Sequence, residues 1–170
     1  INSVVHAHPP TATGFAVAGI ELTQCVLPEV ILGLGGIPLA QYGTPGGAEI
    51  VEPMLPLVKD YDAILMANHG VVTLGKNVMD AHFKMETVEH FAKIALVAHQ
   101  LGAVKTLGDK EVGDLVSIRS NYGITDRPSC NLQAPVLGDG GGGKTLPRQE
   151  GDKEDLTQRV VEEVLRQLRS

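Results

Sequence analysis

At 170 residues, 43% hydrophobic and with a formal net charge of -6, the chain holds enough apolar material for one packed core and has no cluster of Lys and Arg. That balance excludes a general nucleic-acid binder, whose affinity rests on clustered basic side chains facing phosphates. No segment reaches the ~18 apolar residues of a membrane-spanning helix, and the opening INSVVHAHPP lacks the basic start and apolar run of a signal peptide.

Cys25 and Cys130 stand outside any Cys-x-x-Cys pattern and read as free thiols, which predicts a cytoplasmic location. Ile1 in place of an initiator methionine, followed at once by strand-like residues, predicts a chain that begins inside a domain.

Val4 and Val5 predict a short strand that ends by Pro9 and Pro10, because proline cannot donate to a strand ladder. The proline pair presets backbone angles for a helix over residues 11–20. Residues 26–32 and 37–42 read as short extended segments parted by a glycine-rich turn at 33–36. Residues 48–59 carry a helical pattern that Pro53 and Pro56 weaken. The apolar run at 62–67 predicts a buried strand, with a turn at His69-Gly70 and a hairpin partner at 71–74. Residues 77–101 predict the longest helix: Val78, Ala81, Met85, Val88, Ala92, Ala95 and Val97-Ala98 recur about every 3.6 residues, and Gly102 supplies a stop. A shorter helix follows at 109–120, and the mixture predicts an α/β fold.

His6 and His8 are one residue apart on the first strand, where side chains i and i+2 share a face, so both imidazoles can reach one ion. His69 is the natural third ligand, because it closes an apolar strand in the sequence ANHG, where Gly70 permits a tight reversal. Zinc takes imidazole nitrogens at ~2.0–2.1 Å, and catalytic zinc sites keep three protein ligands and one open position. An isolated His-x-His is more often surface decoration than a metal site, so spacing alone leaves both readings open. His82, His90 and His99 fall on the long helix and read as packing or solvated residues.

VVHAHPP, LPEVILGLGGIPLAQYGTPGG and DAILMANHGVVTLGKNVMDAHFKMETVEHFAKI, in this order and spacing, resemble the class II aldolase/adducin family over roughly residues 2–122. The family includes fuculose-phosphate and rhamnulose-phosphate aldolases, a ribulose-phosphate 4-epimerase and a methylthioribulose-phosphate dehydratase. The resemblance implies an αβα sandwich with a mainly antiparallel central sheet, incomplete at its N-terminus. It implies a homotetramer, and it implies that His6, His8 and His69 hold Zn2+ or another divalent metal. Such an ion supplies Lewis-acid stabilisation of the charge left when a carbon–carbon bond of a sugar phosphate breaks. The implied reaction is cleavage of a deoxyketose 1-phosphate, of the fuculose or rhamnulose type, to dihydroxyacetone phosphate and a short aldehyde. Epimerisation, dehydration and a noncatalytic adducin-like assembly role are the alternatives. Retention of all three histidines favours the enzyme, since a scaffold has no chemical need for them.

The resemblance also implies a glutamate upstream of the His-x-His strand, as fourth ligand and acid/base, and an upstream phosphate-binding segment. Neither has a counterpart among these residues, so the 170-residue chain alone is expected to be inactive and the full-length parent active. Glu29 stands where fuculose-phosphate aldolase has a tyrosine acid, and Tyr122, in Asn121-Tyr122-Gly123, resembles a tail tyrosine that reaches that active site. Both are candidate catalytic acids, and both have plain alternatives in capping, interface pairing or packing.

Composition divides the rest of the chain into a globular body at 1–137, a glycine-rich linker at 138–151 and a terminal helix at 152–170. GDGGGGKT at 138–145 satisfies the literal P-loop pattern, yet Pro147 falls where the phosphate-binding helix would start, so a linker is the better reading. In the tail, Leu156, Val160, Val161, Val164, Leu165 and Leu168 form one apolar stripe. A flexible linker before such a helix resembles the encapsulation peptides of bacterial microcompartment enzymes. It implies a shell-protein partner and a location in the microcompartment lumen; packing on the chain's own oligomer is the alternative.

Overall fold

The apolar run before His69 and its hairpin partner form the centre of a four-stranded sheet in the computed structural model, which describes residues 1–124 and 128–134. Expectations for the linker, its P-loop-like sequence and the terminal helix lie outside the described residues. In chain order the strands are β1 (Ser3–Ala7), β2 (Leu39–Ala40), β3 (Ala63–Met66) and β4 (Gly70–Gly75). The helices are α1 (Pro10–Ala18), α2 (Pro28–Gly33), α3 (Val78–Gln100) and α4 (Asp109–Ile118). The sheet order is β1-β4-β3-β2, with β1–β4 and β3–β4 antiparallel and β2–β3 parallel. The fold is therefore α/β, as the pattern of elements predicts, with the mainly antiparallel central sheet that the family resemblance implies.

Alternation along the strands separates two faces. Ala63, Leu65 and Val71 join Met85, Val88, Phe91, Ala92 and Ala95 of α3 and Ala12, Phe15 and Ala16 of α1 in the main core, and Val5 and Ala7 pack against it. Met66, Val72 and Leu74 turn to the other face, where Ile50, Met54 and Val58 cover them. That cover is not the predicted helix. Residues 48–54 form two single 3-10 turns, Ala48–Ile50 and Glu52–Met54, as expected where prolines remove amide donors.

The buried stripe of α3 runs from Ala81 to Ala95, narrower than the predicted one, because Val78 and Val97 at its ends are exposed. Asn77 caps the helix by accepting from the Asp80 amide at 2.9 Å. Lys84 ties α3 to the sheet by donating to Asp62 and to the Leu74 carbonyl, each at 2.9 Å. α1 begins at Pro10 and is capped after Ala18 by Gly19, whose left-handed φ of 73° lets the Ile20 amide return to the Phe15 carbonyl at 3.0 Å.

Two expectations are corrected. Residues 28–33 form α2 rather than an extended segment, because Pro28 at the first helical position starts a turn that buries Val30 and Ile31. Cys25 and Cys130 are not free thiols but form a disulfide across a separation of 105 residues, with Cα atoms 5.1 Å apart. The local cause is backbone pairing: the Asn131 amide donates to the Thr23 carbonyl at 2.7 Å and residue 131 bridges to Gln24. Cys25, Ile31, Val112 and Cys130 make a second small core with Leu107 and Leu115. Arg119, buried beside it, donates from Nε to the Ile31 carbonyl at 3.0 Å and from Nη2 to the Pro128 carbonyl at 3.1 Å. The cytoplasmic reading loses the support it took from free thiols.

Candidate metal centre

The three histidines predicted from sequence converge at one end of the sheet. His6 lies on β1 opposite Val72 of β4, and its side chain leaves the strand on the lightly covered face. His8 follows β1 directly, and His69 sits in the turn between β3 and β4. That turn is shaped by Asn68, which takes a left-handed φ of 56°, a conformation asparagine tolerates better than most residues. The Asn68 amide donates to the Ala16 carbonyl at 3.2 Å and the His69 amide to the Met66 carbonyl at 3.0 Å, so the turn is anchored to both α1 and β3.

One ring nitrogen from each of His6, His8 and His69 lies within 4.8 Å of the others. The ring centroids are 4.9 to 5.0 Å apart, edge to face. Nδ1 of His6 lies 2.9 Å from the Val71 carbonyl oxygen, and a carbonyl only accepts, so Nδ1 carries the hydrogen. Its Nε2 lone pair is then turned toward Nε2 of His8, 3.2 Å away. Tetrahedral zinc with bonds of ~2.0–2.1 Å sets ligand nitrogens ~3.3–3.4 Å apart, so this pair already has the spacing of two ligands. Burial, then the neighbouring His6 and His8, holds the His69 imidazole below its ordinary pKa, which favours the neutral form a cation needs.

Gly70 is required here by close approach rather than by a turn angle. A Cβ at this position would fall 2.6 Å from the Ala7 carbonyl oxygen and into the His8 ring. The missing side chain is what lets β1 and β4 pair while His8 leans over the hairpin. Beside His69, the surface formed by Gln41, Ile50, Met54 and Met66 is a shallow apolar wall with one amide.

Glu29 and Tyr122 are placed differently. Glu29 lies in the first turn of α2 and Tyr122 ends the 3-10 turn Arg119–Tyr122, and both are exposed. Neither forms a hydrogen bond or ring contact with the three histidines among the described residues. His82, His90 and His99 are exposed on α3 and are not part of the histidine cluster, as expected for solvated residues. The residue that the sequence pattern does not single out is Glu89 of α3. Its two carboxylate oxygens accept from the Thr11 and Ala12 amides at 3.0 and 2.8 Å.

No helix of the described residues is long and apolar enough to cross a membrane. Residues 1–96 match the family described as class II aldolase and adducin N-terminal domain. The chain is 29% identical over 128 residues to 3-oxo-tetronate 4-phosphate decarboxylase of Escherichia coli, covering 70% of this chain and 56% of that protein. It is 32% identical over 102 residues to L-fuculose phosphate aldolase of Methanococcus maripaludis, covering 60% of this chain and 55% of that protein. A solved L-fuculose 1-phosphate aldolase superposes with a TM-score of 0.62 at 27% identity, over 71% of this chain and 55% of the other. The chain thus spans about half the length of the relatives it matches. With the family's pattern covering more than half of its residues, the chain belongs to the class II aldolase and adducin family.

Proposed function

We propose that the complete protein is a metal-dependent lyase that cleaves a carbon–carbon bond of a sugar phosphate, with His6, His8 and His69 holding zinc. The observation that carries this reading is the convergence of three imidazole nitrogens within 4.8 Å on an open sheet face. A bound divalent cation there supplies Lewis-acid stabilisation of negative charge on a substrate oxygen. The chain's own part is to hold that position: the Val71 carbonyl fixes the His6 tautomer, Gly70 makes room for His8, and the Asn68 turn aims His69. Exposure of His6 and His8 leaves the ligand side open to substrate, and Ile50, Met54 and Met66 beside His69 offer an apolar surface to one end of it.

The preferred substrate is a deoxyketose 1-phosphate of the fuculose type, in keeping with the aldolase relatives. Release of carbon dioxide from a phosphorylated 3-oxo acid is the second reading, favoured by the longer alignment to the decarboxylase. Both reactions leave negative charge beside a carbonyl, so one metal position serves either. Glu29 and Tyr122, exposed and unbonded to the triad of their own chain, act as acids at a neighbouring subunit's metal in a homotetramer.

Metal analysis and turnover of the complete protein test the proposal together. His6→Ala, His8→Ala and His69→Ala should each weaken zinc by more than the ~10–100-fold typical of outer-shell changes. Glu29→Gln and Tyr122→Phe should slow turnover at full metal content. Unchanged zinc in all three histidine variants would sink the site; carbon dioxide rather than a short aldehyde, formed beside dihydroxyacetone phosphate, would select the second reading.

A further inference from the structure

We infer that Glu89 is a positioning residue for the metal site: it clamps the start of α1 and so fixes His8, an inference that rests on the zinc reading above. The first turn of α1 has an unusual shortage of help. Its N-cap is Pro9, which offers no side-chain cap, and neither Pro9 nor Pro10 has an amide hydrogen. The Thr13 amide donates to the Pro9 carbonyl at 2.9 Å, which leaves the Thr11 and Ala12 amides as the open donors of the turn. Both are taken by one side chain from another helix, Glu89 Oε1 at 3.0 Å and Oε2 at 2.8 Å. A carboxylate at a helix N-terminus also meets the positive end of the helix dipole, so the clamp is charge-assisted as well as bidentate.

The link from this clamp to His8 is stiff. Only Pro9 and Pro10 separate His8 from Thr11, and their rings lock φ near -65°, Pro9 itself standing at -63°. A rotation of the α1 start is therefore passed to the His8 backbone with little slack, whereas two ordinary residues would absorb it. Glu89 is anchored in turn by α3, whose neighbouring Val88 and Ala92 are fully buried in the main core. The His6 ring has its own bond to Val71, and the His69 turn meets α1 only near its far end, at the Ala16 carbonyl, with a second hold on Met66, so His8 is the ligand tied most directly to the clamped first turn.

A purely structural cap would change stability alone, so the test reads zinc affinity of the complete, folded protein by competition with a chromophoric chelator, alongside the melting temperature without metal. Glu89→Gln keeps one acceptor and loses the other, and should weaken zinc binding about tenfold, the low end of the ~10–100-fold range for outer-shell changes. In a His8→Ala background the same substitution should leave the residual zinc affinity unchanged, because the ligand it positions is gone. Pro10→Ala, which keeps the Glu89 bonds and loosens the link, should also weaken zinc several-fold, and it covers the case in which Glu89→Gln folds poorly. If Glu89→Gln lowers the melting temperature with zinc affinity intact, or weakens zinc equally in both backgrounds, the positioning role is overturned while the metal site stands. A complete wild-type protein that binds no zinc overturns both.

Discussion

On one face of the sheet Val5, Ala7, Ala63, Leu65 and Val71 lie under α1 and α3; on the other Val4 is 59% exposed and His6 stands in solvent beside His8 and His69. The same strands supply both sets by alternation, so the packed face holds the backbone that the open face uses. The histidines contribute little to the core and are free to serve a ligand. Their precision is borrowed from residues one position away in β1 and β4.

Substitution on the packed face should therefore cost stability first and metal binding only as a consequence. Phe91 is fully buried at the centre of that core, and Phe91→Ala should lower unfolding free energy by about 3–5 kcal/mol. His6→Ala on the open face should change metal-free stability by less than about 1 kcal/mol, the usual scale away from the core. Denaturant titration of both variants checks the contrast. Similar losses would mean that the triad is part of the structural framework.

The disulfide sharpens the comparison because it belongs to neither face. Cys25–Cys130 closes 105 residues, and cross-links of this kind contribute about 2–4 kcal/mol by restricting the unfolded chain. Cys25→Ser should show that loss under oxidising conditions and no loss once the wild type is reduced. Zinc affinity should be the same in all four samples. A zinc defect on reduction would show that the second core supports the triad.

Gly70 joins the two faces. Gly70→Ala has to push β1 away from β4 or expel the His8 ring, at a cost of about 1–3 kcal/mol for overpacking, and zinc binding should fall with it. Stability loss with intact zinc would place the strain elsewhere than at His8.

Much of this architecture is legible from the sequence, for reasons that are local. The β3–β4 hairpin follows from apolar runs around ANHG and α3 from its repeat and the Gly102 stop, while i, i+2 geometry and one turn offer the triad and the family resemblance selects it as a metal site. What escapes is non-local or ambiguous at short range. Val30 and Ile31 in α2 are β-branched neighbours that read equally as strand, and Pro28 decides the matter only once burial is known. The cysteine pairing depends on residue 131 returning to 23–24, which no local pattern announces. Glu89 looks like any helix-surface acid until α1 is placed against α3.

The smallest expected effect is a pH dependence that separates the faces by chemistry. The packed core contains no ionisable side chain among its buried members, whereas His69 titrates below the ordinary imidazole range, chiefly through burial and then through His6 and His8. A base whose folded pKa is depressed binds fewer protons in the native state than in the unfolded chain. Stability without metal is then fully present above the unfolded value and declines as pH falls through the ordinary range toward the lowered one. His69→Asn should remove this decline and leave the high-pH melting temperature nearly unchanged, as expected for a group on the open face. Melting curves of metal-free wild type and variant across mildly alkaline to mildly acidic buffers provide the measurement. If the variant loses stability on acidification as steeply as the wild type, His69 is not the group responsible; if it melts lower at every pH, the turn rather than the charge is what His69 supports.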